Sequence, residues 1–475
     1  MGKLFNGLES FSNAEPITKG WSEDKKYRVT TTDGETYLLR ISPISRFETR
    51  KSLFAILERV SALDIPMCKP IEFGVCDDGV YSIQSWIDGE DLEVVLPTLT
   101  EAEQYMLGLK SGEIARKMHS IPAPETNANN VGAEEWSVRF GRKTDIKIQK
   151  YRECGLRFDG DEHVIAYIAQ NRDLLENRPQ CFQHGDYHVG NMMLENGEKP
   201  LTQRLKIIDF DRYDFGDPWE EFNRIVWSAA ASPHFATGQM KGYFGGEPPM
   251  EFWRLLAFYI ASNTLSSIYW AIPFGQSDVN IMMQQSQDVL RWYDNMQNPV
   301  PTWYLRGYEL WDVYDENRNK TGQTIPRGTV QILADGEFHL AAFMYILRSD
   351  GKFLITKRSP QKKTFPNMWE IPHGAVLSGE TSLDAAIREA FEECGLVLER
   401  ENAIFAAEYR GGNLISDKWL FHQDFDLADI VLQEGETCDA RACTLDDIFE
   451  LVKNSEIQEY IYHEVKAIKE KWGSV

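Results

Sequence analysis

Several features are scarce or missing in this 475-residue chain, and each absence narrows what it can be. The opening MGKLFNGLESFSNAEP has no continuous apolar core, so no secretory leader is expected. No uncharged apolar stretch reaches the roughly eighteen residues of a membrane span. The richest stretch, FWRLLAFYIASNTLSSIYWAI from Phe252, holds an arginine and several polar residues and is expected to be a buried helix. The seven cysteines (68, 76, 154, 181, 394, 438 and 443) form no CxxC pair, and Cys438 and Cys443 do not have zinc-site spacing. Such a set suits reduced thiols and a cytoplasmic location. Basic charge is in deficit: 50 Lys and Arg face 73 Asp and Glu, a net charge of −23. Phosphate-rich surfaces would be repelled, so neither nucleic acid nor membrane is an expected partner. An acidic field would favour cationic small molecules. Neither an internal repeat nor a low-complexity segment is present.

What is there is ordinary for a soluble globular chain: 43% hydrophobic and 26% charged residues. The length exceeds what one core supports, so two or three domains are expected. KYRVTT and ETYLLRIS flank Thr32-Asp33-Gly34 and read as a hairpin. Leu53, Ile56, Leu57 and Val60 predict a helix over 48–63, followed by the strands KPIEFGV and VYSIQSWI. Helices are predicted over about 99–120 and 161–175, and the strands NMMLE and RLKIIDF flank Asn196-Gly197. Helical, aromatic-rich sequence then runs over 217–297. Pro299 and Pro301 mark a linker at 297–306, beyond which strand patterns dominate: ELWDVYDE, HLAAFMYIL and KFLITKR. The expected domains are 1–298, with lobes at about 10–88 and 89–298, and 305–475.

Two constellations carry chemistry. The first is HGDYHVGN, residues 184–191, followed by the apolar strand LKII and Asp209-Phe210-Asp211. Phosphoryl transfer needs a carboxylate at the acceptor hydroxyl and an amide and second carboxylate for magnesium. An Asp, four residues, then an Asn places two of these on one tight loop, and a buried strand delivers the third. The motif resembles the aminoglycoside phosphotransferase and choline kinase family, which shares the protein-kinase fold. By that resemblance Asp186 is the catalytic base, Asn191 and Asp209 are metal ligands, and ATP or GTP is the donor. His184 would brace the loop, and Asp217 would anchor a helix start beside Pro218. The nucleotide loop would lie at 19–27, with Lys25 and Lys26 at the nucleotide. Arg40 stands where the family's phosphate-gripping lysine belongs, with Glu48 as its partner or Glu58 as the alternative. Ser85 and Ile87 fall in the hinge that meets the base, and His188 is counted with the nucleotide site. The implied acceptor is the hydroxyl of an amino sugar or amino alcohol, which Glu220, Glu221, Glu251 or Asp278 could greet.

The second constellation is GAVLSGETSLDAAIREAFEECGL, residues 374–396. Thr381 with Asp384 resembles a capping box, and Gly395 would stop the helix. Glu389, Glu392 and Glu393 fall on one helix face, where clustered carboxylates call for a hard divalent ion, magnesium or manganese. Such an ion polarises a diphosphate and activates water. Arg388 pairs with a nearby Glu, and Glu380 closes the loop or joins the metal shell. The segment resembles the Nudix box, softened only at Ala390, and implies Glu392 and Glu393 as catalytic and Glu380, Glu389, Glu392 and Glu393 as metal-binding. Glu408, Glu434 and Glu436 are alternative distal bases. ELWDVYDENRNKTG with GEFHLAAFMYI is similar to the isopentenyl-diphosphate isomerase branch of that family, although the complete box favours hydrolysis.

The expected fold is thus an α+β protein-kinase-like two-lobe domain followed by an α/β/α Nudix sandwich. The expected function is bifunctional: phosphotransfer to a small-molecule hydroxyl and hydrolysis of a nucleoside diphosphate-linked compound. The rival is a Nudix hydrolase whose kinase-like half is a non-catalytic ligand-binding or regulatory domain.

Overall fold

The computed structural model describes residues 11–18, 24–124, 134–327, 332–362, 364–433 and 435–472. Residues 19–23 of the expected nucleotide loop, and Glu434, lie outside them. The chain divides into two compact units, Met1–Arg306 and Gly307–Val475.

The first unit opens with β1 (Phe11–Ile17), β2 (Lys25–Thr31), β3 (Thr36–Ser42), α1 (Phe47–Ser61), β4 (Pro70–Cys76) and β5 (Gly79–Ser85). The strands form one antiparallel sheet in the order β1-β2-β3-β5-β4. Because side chains alternate along a strand, β3 sends Leu39 and Ile41 into a small core with Val29, Tyr81 and Ile83. Arg40 and Ser42 instead line a cavity with Leu53 and Leu57 of α1.

Beyond the sheet come β6 (Gly89–Asp91), α2 (Leu92–Val95), α3 (Glu101–Met118), α4 (Trp136–Glu153) and α5 (Asp161–Gln170). Then follow β7 (Cys181–Gln183), β8 (Met192–Glu195), β9 (Leu205–Ile207), β10 (Asp214–Gly216), α6 (Ile225–Ala231), α7 (Pro233–Phe244), α8 (Met250–Ala271) and α9 (Gln276–Trp292). β6, β8 and β9 make a three-stranded sheet, and β7 pairs with β10. Thr100 caps α3 in a reciprocal box with Glu103. Two glycine pairs lock α3 to α7. A Cβ at Gly108 or Gly112 would lie 2.1 or 2.2 Å from carbonyl oxygens of Phe235 and Gln239, and one at Gly238 or Gly242 would lie 2.3 or 2.0 Å from those of Tyr105 and Leu109. Hence the two backbones touch, as only glycine allows. By length and composition the helical stretch Met250–Phe274 could cross a membrane, yet 67% of its apolar window is buried within this unit.

In the second unit, β11 (Leu310–Tyr314) pairs with β12 (Lys320–Pro326). They are followed by β13 (His339–Leu347), β14 (Phe353–Arg358), β15 (Trp369–Glu370), β16 (His373–Ala375), α10 (Ser382–Cys394), β17 (Ala403–Gly411), β18 (Leu414–His422), β19 (Thr437–Cys443), α11 (Leu445–Lys453) and α12 (Glu459–Trp472). A mixed seven-stranded sheet runs β15-β14-β13-β18-β17, with β16 added on β13 and β19 on β14. β13 explains the layering. Leu340, Ala342, Met344 and Ile346 pack with Ala385, Ala386 and Ala390 of α10, whereas Tyr345 and Leu347 pack with Ile448, Leu451, Ile461 and Val465 of α11 and α12. Helices therefore cover both faces, and the two units have the expected kinase-like and Nudix-type folds.

Candidate active sites

In the first unit, β7 leads into residues 184–191 and β9 leads into Asp209. Two hydrogen bonds join these stretches: Ile208 N–H donates to the Asn191 carbonyl at 3.0 Å, and His184 Nε2 lies 2.9 Å from the Ile208 carbonyl. Below the loop, Glu221 is 1% exposed. Its carboxylate accepts from the backbone N–H groups of His184 at 2.5 Å and Gly185 at 3.0 Å. Gly185 has φ +81°, and a Cβ there would meet the Arg212 carbonyl oxygen at 1.9 Å. A glycine after the histidine is therefore required by both backbone angle and space. Asp217 is fully buried; it takes a bidentate bond from Arg178 at 2.6 and 3.1 Å, another from the Tyr259 hydroxyl, and one from Trp219 N–H.

Asp186 faces three cationic or titratable groups: Arg224 at 3.3 Å, and Arg212 and His188 at 3.8 Å each. Burial would raise its pKa, but Arg224, His188 and Arg212 outweigh that and hold it below the ordinary value. Asn191 Nδ2 donates to the Asp186 carbonyl at 2.8 Å. His188 Nδ1 accepts from Gly190 N–H at 3.1 Å, and burial drives its pKa down to about 4, leaving a neutral ring. Asp209 adopts φ +64°, a left-handed backbone rare outside glycine and asparagine.

Arg40 does not meet Glu48 or Glu58, which are both exposed. Its guanidinium bonds Asp24 at 3.2 Å and also Asp211. Arg50, from α1, bonds the same two carboxylates at 2.5 and 3.0 Å and Ser42 Oγ at 2.9 Å. Ser42 Oγ in turn donates to Asp24 at 2.6 Å. The helix thus offers an arginine where an acid was expected, and two aspartates supply the balance. Burial would raise the pKa of Asp24, but Ser42, Arg50 and Arg40 hold it low. Lys26 is opposite Arg40 in the β2–β3 register, whereas Lys25 is exposed. At the hinge, Ser85 Oγ accepts from Lys69 N–H at 2.8 Å and Ile87 is buried.

In the second unit, α10 starts at a reciprocal Thr381–Asp384 capping box and ends at Gly395 in the left-handed region. Arg388 binds Glu380 through two bonds of 2.8 and 3.0 Å, Glu389 at 2.8 Å, Glu392 at 2.9 Å and the Ala375 carbonyl at 3.0 Å. A Cβ on Gly374 would fall 2.0 Å from the Glu389 carboxyl carbon, so the glycine leaves room for that side chain. Burial pushes Glu389 up to about 7 and also raises Glu392 and Glu393. Glu393 Oε2 is buried with no hydrogen-bond partner. As they stand, no three His, Cys, Asp or Glu side chains among the described residues are grouped to hold an ion. The guanidinium of Arg388 lies among the carboxylates instead. The donor set still fits a hard divalent cation: oxygen ligands only, raised pKa values and an orphaned buried oxygen.

Sequence reasoning missed several supporting groups. Glu221, expected among the acids that could greet the acceptor, instead holds the loop. Asp312 accepts from Ser378 Oγ at 2.6 Å and Gly379 N–H at 2.9 Å, fixing the loop before α10. Glu309 and Glu370 add charge that reaches the box glutamates, as does Glu436, one of the alternative distal bases named from the sequence. Glu408 is occupied by Arg410 at 2.6 Å and Arg318 at 2.5 Å.

Comparison with known proteins agrees with this division. The phosphotransferase enzyme family model matches residues 13–253, just over half the chain, and the NUDIX domain model matches 337–465. An uncharacterized Nudix hydrolase of Listeria monocytogenes is 36% identical over 155 residues, covering 32% of this chain and 90% of that protein. An isopentenyl-diphosphate Delta-isomerase of Corynebacterium efficiens is 38% identical over 89 residues, covering 18% of this chain and 46% of that one. Among solved structures, a choline/ethanolamine kinase family protein from Mesorhizobium loti matches at 16% identity and TM-score 0.43, covering 61% of this chain and 91% of that one. The chain belongs to the phosphotransferase enzyme family through its first unit and to the Nudix hydrolases through its second.

Proposed function

We propose that the chain carries two magnesium-dependent activities: transfer of a nucleoside triphosphate γ-phosphate to a small-molecule hydroxyl, and hydrolysis of a nucleoside diphosphate-linked compound. The first rests on one observation, the junction at which Ile208 and His184 bond the loop to the strand and so bring Asp186, Asn191 and Asp209 together. Asn191 and Asp209 would hold the ion, which when bound neutralises the nucleotide phosphates. Asp186 stays ionised at neutral pH, so it can orient the acceptor hydroxyl and take its proton as the O–P bond forms. Arg40 and Arg50 offer positive charge for the phosphates, although both are engaged by Asp24 and Asp211. Lys25, Lys26, Ser85, Ile87 and His188 are the further nucleotide contacts of this reading, while Arg40 meets Asp24 and Asp211 in place of Glu48. The free thiols of all seven cysteines suit a reducing, cytoplasmic setting.

For the second activity, Glu389, Glu392 and Glu393 would hold the ion, with Glu380 fixed by Arg388. Glu392 or Glu393 would direct the attacking water; Glu436, paired with Lys362, and Glu408, paired with Arg318 and Arg410, are the alternatives for an added base. The partial likeness to isopentenyl-diphosphate isomerases supports kinship with that branch, and the complete box favours hydrolysis.

Asp186→Asn should lower nucleotide turnover by about 10²-fold or more, and Glu392→Gln should do the same for pyrophosphohydrolysis. Unchanged turnover in either variant removes that half of the assignment. The engagement of Arg40 by two aspartates favours a second reading, a kinase-like unit that binds nucleotide without transferring phosphate. Binding without turnover in the unaltered protein would establish it.

A further inference from the structure

Arg139, Arg142, Lys143 and Lys147 of α4 and Tyr269 of α8 line a solvent-open cavity of about 380 Å³. That volume is within the range of small-molecule sites. Two of the four cations are already neutralised: Arg139 binds Asp214 at 2.6 and 2.7 Å, and Arg142 binds Glu134 at 2.7 and 2.9 Å. The other two are not. Lys143 and Lys147 are one helical turn apart, both resting on the Phe140 ring at 5.6 and 5.7 Å, and neither has an ion pair among the described residues. Like charges at that spacing repel, so an unoccupied pair costs stability.

The cavity wall is tied to the phosphotransfer loop through β10: Arg139 bonds Asp214 and the Phe215 carbonyl, and β10 pairs with β7, which leads into residues 184–191. Lys147 feels the charges of Arg224 and Glu220, and Arg224 is 3.3 Å from Asp186. Arg212 shares that same carboxylate, so two guanidiniums rest on one Asp. Arg224 Nε is buried, with the Asp186 carboxylate at 3.3 Å as its ion-pair partner. The acids that might have received an amine are spent elsewhere: Glu221 on the loop backbone, and Glu220 on Gln183 and Asn223. In a chain of net charge −23 this is a local excess of positive charge beside the reacting carboxylate.

We propose that this cavity is the acceptor site of the first unit, and that the acceptor carries an anionic group, phosphate or carboxylate, together with the hydroxyl to be phosphorylated. The anion would seat on Lys143 and Lys147, with Arg224 and Arg212 between it and Asp186. This rests on the reading of Asp186 as the group that receives the hydroxyl. In the transfer, the acceptor oxygen gives its proton to Asp186 and bonds the γ-phosphorus. The bond from that phosphorus to the bridging oxygen breaks, and nucleoside diphosphate leaves. An amino sugar or amino alcohol would meet the wrong sign of charge.

The test is calorimetric titration of the full chain with glycerol 3-phosphate, glycerate, glycerol and ethanolamine. It is repeated on Lys143→Gln/Lys147→Gln and on Lys117→Gln, an exposed change on α3 outside the cavity. At least one anion should bind about tenfold or more tightly than glycerol or ethanolamine. The double variant should lose about tenfold of that affinity with its circular dichroism unchanged, and Lys117→Gln should lose none. The tighter of the two anions distinguishes a phosphate from a carboxylate acceptor. Ethanolamine or glycerol binding as well as the anions, absence of anion binding, or full anion binding by the double variant would each overturn the proposal. Anion binding is scored separately from turnover, so turnover by Asp186→Asn would sink the phosphotransfer reading without touching this result.

Discussion

Lys147 is half-buried beside Lys143, and burial first, then that neighbour, bring its pKa down from 10.5 to about 7. Glu220 opposes the shift and Arg224 adds to it. Between these two values the unfolded chain binds the proton more strongly, so this residue makes stability rise with pH across that window. The amine should therefore acylate at neutral pH, with a rate profile centred near 7, and mass spectrometry should find Lys147 labelled before Lys150. A bound anion should protect it; labelling no faster than at surface lysines would refute the lowered pKa. At Gly185 the expectation is structural. Gly185→Ala places a Cβ against the Arg212 carbonyl at a left-handed φ, and should cost about 1–3 kcal/mol in melting experiments. The sequence showed His184, Gly185, Asp186 and Asn191 through their spacing. It did not show Glu221, because a carboxylate thirty-odd residues away joins the loop only after folding.

Elements were legible where apolar periodicity was clear. α1 occupies the span predicted from Leu53, Ile56, Leu57 and Val60, and the β2–β3 hairpin turns at the predicted Asp33-Gly34. α4 was not predicted, although Trp136, Phe140 and Thr144 recur at helical spacing, because its apolar face is thin. It buries only Trp136, Phe140, Thr144 and Tyr151 over 18 residues and otherwise shows charged side chains. A helix so polar is placed by packing against α8 rather than by propensity. The α3–α7 interlock was also silent, since glycines within helices read as weak points rather than contacts. Gly238→Leu tests it. No rotamer relieves a Cβ 2.3 Å from the Tyr105 carbonyl, so the helices must separate, and a loss of at least about 3 kcal/mol is expected. A variant that melts with the unaltered protein would show that the backbones are not in contact.

For the molecule as a whole, net charge was a poor guide to the acceptor site. The chain is acidic, which on its own favours a cationic ligand, yet the cavity along α4 is basic because its charge is set locally. Each unit also has its own apolar cores. Scanning calorimetry should accordingly resolve two transitions that respond to different perturbations. Gly238→Leu should lower only the transition of the first unit. Magnesium should raise that of the second, where Glu389, Glu392 and Glu393 repel one another until a cation is bound. At a hundredfold excess over the dissociation constant the gain should approach about 2.7 kcal/mol. Glu392→Gln removes one of the repelling charges, so it should raise the metal-free transition slightly and shrink the magnesium shift. Movement of both transitions together in Gly238→Leu would mean that the units unfold as one body.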